Sequence, residues 1–178
     1  IYENGYMVAK KDGNYGLIDP SGKVVCPFVY ETMGSIDLES GLIPVSKMFK
    51  YGYIDLTGEV VIPLKYSVAY NFISGFAKVI DMTTNLDGII NPSGEIIAPM
   101  KYDGIYLHGE CDYICVEGRK LVRCESGKKI GLFDLTNKKE LFPPIFTEIH
   151  SYSEGWLTVR SRNKWVFADI DGNPLIVD

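Results

Sequence analysis

Apolar and polar residues alternate along short runs of this chain, as in Phe76-Ala77-Lys78-Val79 and Trp156-Leu157-Thr158-Val159. Period-two alternation is the pattern of a half-buried β-strand. Each run is soon cut by Gly, Pro, Asn or Asp, residues that turn the backbone. No segment combines a helical period with caps and sufficient length. Tyr70 to Ser74 could form at most a single turn. The pattern predicts an all-β protein of many short strands.

The interruptions are periodic. Tyr15-Gly16-Leu17-Ile18-Asp19-Pro20-Ser21-Gly22 leads into Val24-Val25-Cys26-Pro27. Tyr51-Gly52-Tyr53-Ile54-Asp55-Leu56-Thr57-Gly58 leads into Val60-Val61-Ile62-Pro63, and Asp87-Gly88-Ile89-Ile90-Asn91-Pro92-Ser93-Gly94 into Ile96-Ile97-Ala98-Pro99. Weaker copies run from Ile130 to Pro143 and from Trp165 to Ile176. The glycine recurs as Gly16, Gly52, Gly88 and Gly131, with Val166 in its place in the last copy, at steps of 36, 36, 43 and 35 residues. Tyr30, Tyr66 and Tyr102 follow their prolines by three residues, and Phe146 holds that place in the fourth copy.

A second anchor, an apolar residue followed after two positions by Gly, recurs at Gly5, Gly41, Gly75, Gly109 and Gly155. One repeat domain over 1–178 follows. Its units are about 5–40, 41–74, 75–108, 109–154 with an insertion, and an incomplete 155–178.

Each unit has a physical outline. Asp19 or its equivalents open a turn by bonding nearby backbone, Pro at the next place presets φ, and Gly closes it in the left-handed region. Lys11-Asp12-Gly13-Asn14 marks another turn. Three short antiparallel strands per unit result, followed by a less regular link through the Pro-x-x-Tyr segment. Pro27, Pro63 and Pro99 should end the third strand, since proline cannot donate to a ladder. The Gly of Tyr15-Gly16 and Tyr51-Gly52 suits close backbone approach. One such unit buries too little to fold alone, so stacked units must share a core. Tyr30, Tyr66 and Tyr102 are expected inside it, and their exposure would instead indicate a stripe for stacking on sugars. An open, curved, solenoid-like array is expected, with a closed propeller-like ring as the alternative.

The pattern resembles the WG repeat, also called KWG: aromatic-Gly-apolar-Ile-Asp, a turn with Gly, a strand ending in Ile-Pro, then x-x-Tyr-Asp. Tyr51 to Tyr66 matches almost throughout, and Tyr102-Asp103 supplies the terminal pair. The resemblance extends over about residues 5–176. The name-giving Trp is replaced by Tyr15, Tyr51, Asp87 and Ile130, while Trp165 is kept without its Gly. The resemblance implies an all-β repeat protein, mostly bacterial, that binds partners and brings no catalytic residues to carry over.

Composition adds limits. Of 178 residues, 46% are hydrophobic and 12% aromatic, too apolar for a disordered chain. Net charge is −5, which disfavours nucleic acid as a partner. No apolar run is long enough for a membrane helix. The chain begins with Ile, which reads as a trimmed or processed piece and leaves both a cytoplasmic and an exported location open.

Candidate chemistry is sparse. His108, Cys111 and Cys115, with Cys124 and His150, lack paired zinc-ligand spacing. A Cys111–Cys124 disulfide is an alternative to plain thiols. Asp169 to Asn173 has a faint calcium-loop look but fits the turn shared by its sister copies. No nucleophile with a base and no phosphate loop is evident. We expect no catalytic residues, no metal and no cofactor.

The charge distribution is uneven. Residues 119–139 carry Arg119, Lys120, Arg123, Lys128, Lys129, Lys138 and Lys139 against Glu125 and Asp134, so this segment is +5 and the remainder −10. It coincides with the 43-residue step, where an insertion maps to the surface. An extended hairpin around Glu117-Gly118-Arg119-Lys120 is expected to project, with Arg119, Lys120, Arg123, Lys128 and Lys129 as partner-binding residues. A non-enzymatic scaffold binding a protein partner is the favoured function. A surface or envelope module binding carbohydrate is one alternative, and an immunity or inhibitor protein against a basic toxin is another.

Overall fold

The computed structural model describes residues 5–107, 114–116, 118–162, 164–169, 171 and 173–175. Among these no helix occurs, and the chain is a tandem series of antiparallel strands with no sheet closed on itself. By contact density the chain divides into two halves, Ile1–Ile96 and Ile97–Asp178.

In the first half, β1 (Met7–Lys11), β2 (Asn14–Ile18) and β3 (Val24–Tyr30) pair in sequence order. β4 (Thr32–Met33), β5 (Ile43–Lys47), β6 (Lys50–Ile54), β7 (Val60–Ala69), β8 (Ala77–Asp81) and β9 (Asp87–Ile90) likewise lie beside one another in chain order. β10 (Ile96–Tyr102) starts at the last residue of the first half, and the second half continues with β11 (Gly104–Ile105), β12 (Ile114–Val116), β13 (Arg119–Ser126), β14 (Lys129–Asp134) and β15 (Lys139–Phe146). β13 is flanked by β14 on one side and by both β11 and β12 on the other. A last sheet has the order β16 (Glu148–Ser153), β17 (Trp156–Ser161), β18 (Lys164–Asp169) and β19 (Pro174–Leu175).

The turns form as their residues dictate. The Asp19 carboxylate accepts the backbone N–H groups of Ser21 and Lys23, each at 2.9 Å, and Gly22 takes a φ of 87°. Asp55, Asn91 and Asp169 repeat that clasp. The calcium-loop likeness of Asp169 is therefore a self-clasped turn.

The prolines depart from expectation. β3, β7 and β10 run through Pro27, Pro63 and Pro99 instead of stopping there. Tyr15 pairs with Tyr30 and Leu17 with Cys26, so two steps on β2 match four on β3. Tyr51↔Tyr66 and Tyr53↔Ile62 repeat this bulge, as do Ile130↔Phe146 and Leu132↔Phe142. A bulge leaves residues outside the ladder, where proline's missing N–H costs nothing. The bulged backbone in turn presses on the opposite strand. A Cβ on Gly16 would lie 2.7 Å from the Cys26 carbonyl oxygen, and one on Gly131 2.5 Å from that of Phe142. The repeated Gly and Pro are thus two sides of one contact.

The link after the proline is also more regular than expected. β7 pairs with β6 up to Tyr66 and then with β8 through Val68 and Ala69. β4 follows β3 directly and pairs with β5, and β16 follows β15 and pairs with β17. Each unit therefore lends a short fourth strand to its successor.

The core is shared in the same way. Leu17 and Cys26 of the first unit cluster with Ile43, Val45 and Ile54 of the second. Leu132 and Phe142 cluster with Leu157, Val159 and Ala168. Tyr30, Tyr66 and Tyr102 are all buried, at most 6% exposed, so they belong to the core and present no face to a sugar.

Candidate functional site

Arg119 begins β13 opposite Val116, so the expected hairpin exists, with Gly118 at a φ of 77° in its turn. Arg119 itself is only 16% exposed at its side chain. Its guanidinium donates from Nε to the fully buried Asp134 carboxylate at 2.6 Å and from Nη1 to Asp171 at 3.2 Å. Burial would raise the Asp134 carboxyl pKa, but the bonds from Asn137 and Arg119 outweigh it and hold the group below the usual range. Arg119 is therefore engaged within the protein.

The remaining cations are spread along the same hairpin. Lys120 sits at the Arg119 end of β13 and its N–H donates to Thr136 Oγ1 at 2.9 Å. Lys128 and Lys129 lie at the opposite tip, where Ser126 pairs with Lys129. A strand of this length separates the two ends by about 20 Å. The basic segment is thus divided between two ends, and Arg123 stands between them.

Arg123 does meet other polar groups. With Ile130, Glu148, Ile149 and His150 it lines a cavity of about 290 Å³. Ile149 pairs with Val159 on the core side, and the adjacent Glu148 pairs with Arg160. Arg160 donates from Nη1 to Glu148 Oε1 at 2.6 Å, and its guanidinium carbon lies 5.7 Å from the Trp165 ring centre. His150 meets the same indole edge-on at 5.1 Å. Trp165 stays 47% exposed. The arrangement can grip a side chain between an indole and charged groups. Glu148 is paired with Arg160, and His150 packs edge-on against the indole.

The cysteines give no second site. Cys26 and Cys124 are buried free thiols, so the disulfide alternative does not hold for Cys124. Burial first, then the nearby Glu140 carboxylate, pushes the Cys124 thiol up to about 12, far from the range of a reactive thiolate. His108 and Cys111 lie outside the described residues, and for Cys115 the backbone alone is described. Among the described residues no cluster of metal-ligating side chains occurs, and no helix is long and apolar enough to cross a membrane.

The profile of the WG containing repeat matches residues 15–47, 51–80, 88–117 and 130–165. The chain belongs to the WG repeat family. The WG matches begin at Tyr15, Tyr51, Gly88 and Ile130, and Tyr15, Tyr51 and Ile130 are the residues paired at the edge of the bulges. No curated protein matches the sequence. Among solved structures, the chain is similar to one described as the crystal structure of the eukaryotic initiation factor, at 10% identity and a TM-score of 0.50, over 99% of this chain and 52% of that one. It thus spans about half of that protein, and the likeness is one of fold alone. Two further structures are similar: dihydro-heme d1 dehydrogenase NirN in complex with DHE (11% identity, TM-score 0.44, 98% of this chain and 43% of that one) and a protein of unknown function from Bacteroides caccae (15%, 0.30, 96% and 76%).

Sequence reasoning located Arg123 but missed Glu148, His150, Arg160 and Trp165 as its companions. They come from three different strands of the last sheet, and only its register brings them together.

Proposed function

We propose that this WG repeat chain is a non-catalytic scaffold that binds a protein partner at the cavity beside Trp165. The observation carrying this reading is the exposed indole held between Arg160 and His150 at the rim of the Arg123 cavity. Trp and Arg are the residue types that dominate binding energy when a partner covers them. The cavity suits one or two side chains, at the small end for a cofactor or metabolite. An immunity or inhibitor protein is one form this scaffold could take. Capture from native lysate at low salt, comparing wild type with Trp165→Ala and Arg123→Glu, tests it. A protein retained by wild type and lost by both variants is expected. Repeated failure of capture, or retention unaffected by either substitution, would overturn it.

A second reading, carbohydrate binding, now rests on different aromatics. Trp156, Trp165 and Phe167 are 37–47% exposed. The pairings Trp156↔Asp169, Thr158↔Phe167 and Arg160↔Trp165 put them on one face of the β17–β18 hairpin. Quenching of tryptophan fluorescence by soluble oligosaccharides would favour it over a protein partner.

A further inference from the structure

The hairpin joining β5 to β6 turns on Met48 and Phe49, between the paired residues Lys47 and Lys50. Both central residues are left-handed, with φ of 52° and 60°. Asn and Gly suit this two-residue turn, and bulky side chains there are strained. The corresponding turn of the first unit uses Asp12 and Gly13, at φ of 51° and 87°.

The strained turn is also braced. The Glu31 carboxylate accepts the N–H of Met48 at 3.0 Å and of Phe49 at 3.3 Å. Glu31 is itself tied down, its N–H donating to the Ser46 carbonyl at 2.8 Å. Yet the turn presents its apolar side chains to water. Met48 is 71% and Phe49 84% exposed, the two highest values among the described large hydrophobics. Strain that the surroundings hold in place points to a function at the strained residues.

We propose that Met48 and Phe49 form a rigid plug that enters an apolar pocket rimmed by carboxylates on the protein partner, which deepens the scaffold reading and rests on it. Met and aromatic residues are enriched at the covered centre of interfaces. Bracing by Glu31 fixes the turn before contact, which lowers the ordering cost of binding. Lys47 and Lys50 are exposed on either side of the plug, and they call for acidic groups around the pocket. A bilayer is the weaker occupant. Two side chains bury too little apolar area to hold a chain of net charge −5 on an anionic surface.

The test places a photo-crosslinking phenylalanine analogue at position 49 of the full chain, with position 12 as control, in native lysate. One protein, cross-linked at apolar residues flanked by Asp or Glu, is the expected product. Against that partner, Met48→Asn with Phe49→Gly should raise Tm by about 2–5 °C, because it restores favourable turn residues. It should also weaken binding at least tenfold. Lys47→Glu with Lys50→Glu should weaken binding in a salt-dependent way.

Cross-links confined to lipid, spread over unrelated proteins, or no stronger than at position 12 would overturn the plug. So would a stabilised Asn-Gly turn that binds as tightly as wild type. If binding then still depends on Trp165, the plug alone has failed. If nothing is captured in either experiment, the scaffold reading has failed with it.

Discussion

Gly52 faces the carbonyl oxygen of Ile62 so closely that a Cβ at Gly52 would sit 2.5 Å from it. The obstacle is bulged backbone and not a flexible side chain, so it cannot step aside. Gly52→Ala should therefore cost about 2–3 kcal/mol through forced displacement of the β7 bulge. Gly13→Ala meets nothing within 4 Å and strains only its left-handed turn, for about 1 kcal/mol. Urea unfolding midpoints of the two variants provide the check, and equal losses would refute the bulge contact.

Asp134 should be the most costly of the turn aspartates to remove. It is fully buried and holds both Arg119 and Asn137. Asp134→Ala would take the buried carboxylate away from the mostly buried Arg119, at a cost of about 3 kcal/mol. Asp171→Ala, at a 71% exposed side chain, should be close to neutral in the same denaturation experiment.

Stability should fall at both ends of the pH scale. Asp19 is held below the usual carboxylate range, first by the Ser21 hydroxyl and then by backbone N–H groups. For Asp55 and Asp134, burial pushes upward but hydrogen bonds outweigh it. Depressed carboxyls stabilise fully above their unfolded pKa, near 4, and lose that contribution as pH drops through the folded values. Cys124 behaves in the opposite sense. Its thiol is raised to about 12, so its contribution is intact below about pH 9 and is lost as pH climbs toward 12. Tyr53 and Tyr102, also raised first of all by burial, add to the alkaline loss. Melting temperature against pH should show both declines, and Cys124→Ser should soften the alkaline one.

The buried tyrosines should separate by their hydroxyls. Tyr53 donates to the Tyr70 carbonyl at 2.7 Å, and Tyr102 to Glu140 Oε1 at 2.8 Å. The Tyr66 hydroxyl is buried with no hydrogen-bond partner among the described residues. Replacement by Phe should cost about 1 kcal/mol at Tyr53 and somewhat more at Tyr102, whose acceptor is charged. The same change at Tyr66 should be neutral or stabilising, because it removes an unsatisfied group. Thermal unfolding of the three variants distinguishes these outcomes.

The repeat, its turns and its buried tyrosines were all legible in the sequence because each is local. An Asp, a Pro and a Gly at fixed spacing specify their own turn without help from elsewhere. The strands that continue through Pro27 and Pro63 were not legible. A bulge is a property of two strands, and Gly16 stands eleven residues from the proline it accommodates. The Met48–Phe49 turn carries no turn signal of its own. It exists because strand register forces it and Glu31, seventeen residues before Met48, braces it. The basic segment looked continuous in one dimension, and the length of β13 separates its two ends.

The lending of a short strand from each unit to the next has a mechanical consequence. Where β7 pairs with both β6 and β8, the boundary between repeats is stitched by backbone hydrogen bonds as well as by side chains. That seam pairs Tyr66 with Asp81, Val68 with Ile80 and Ala69 with Val79, so unfolding one repeat would strip its neighbour of a paired strand. Neighbouring repeats would then yield together in one large step, and not as beads released one by one.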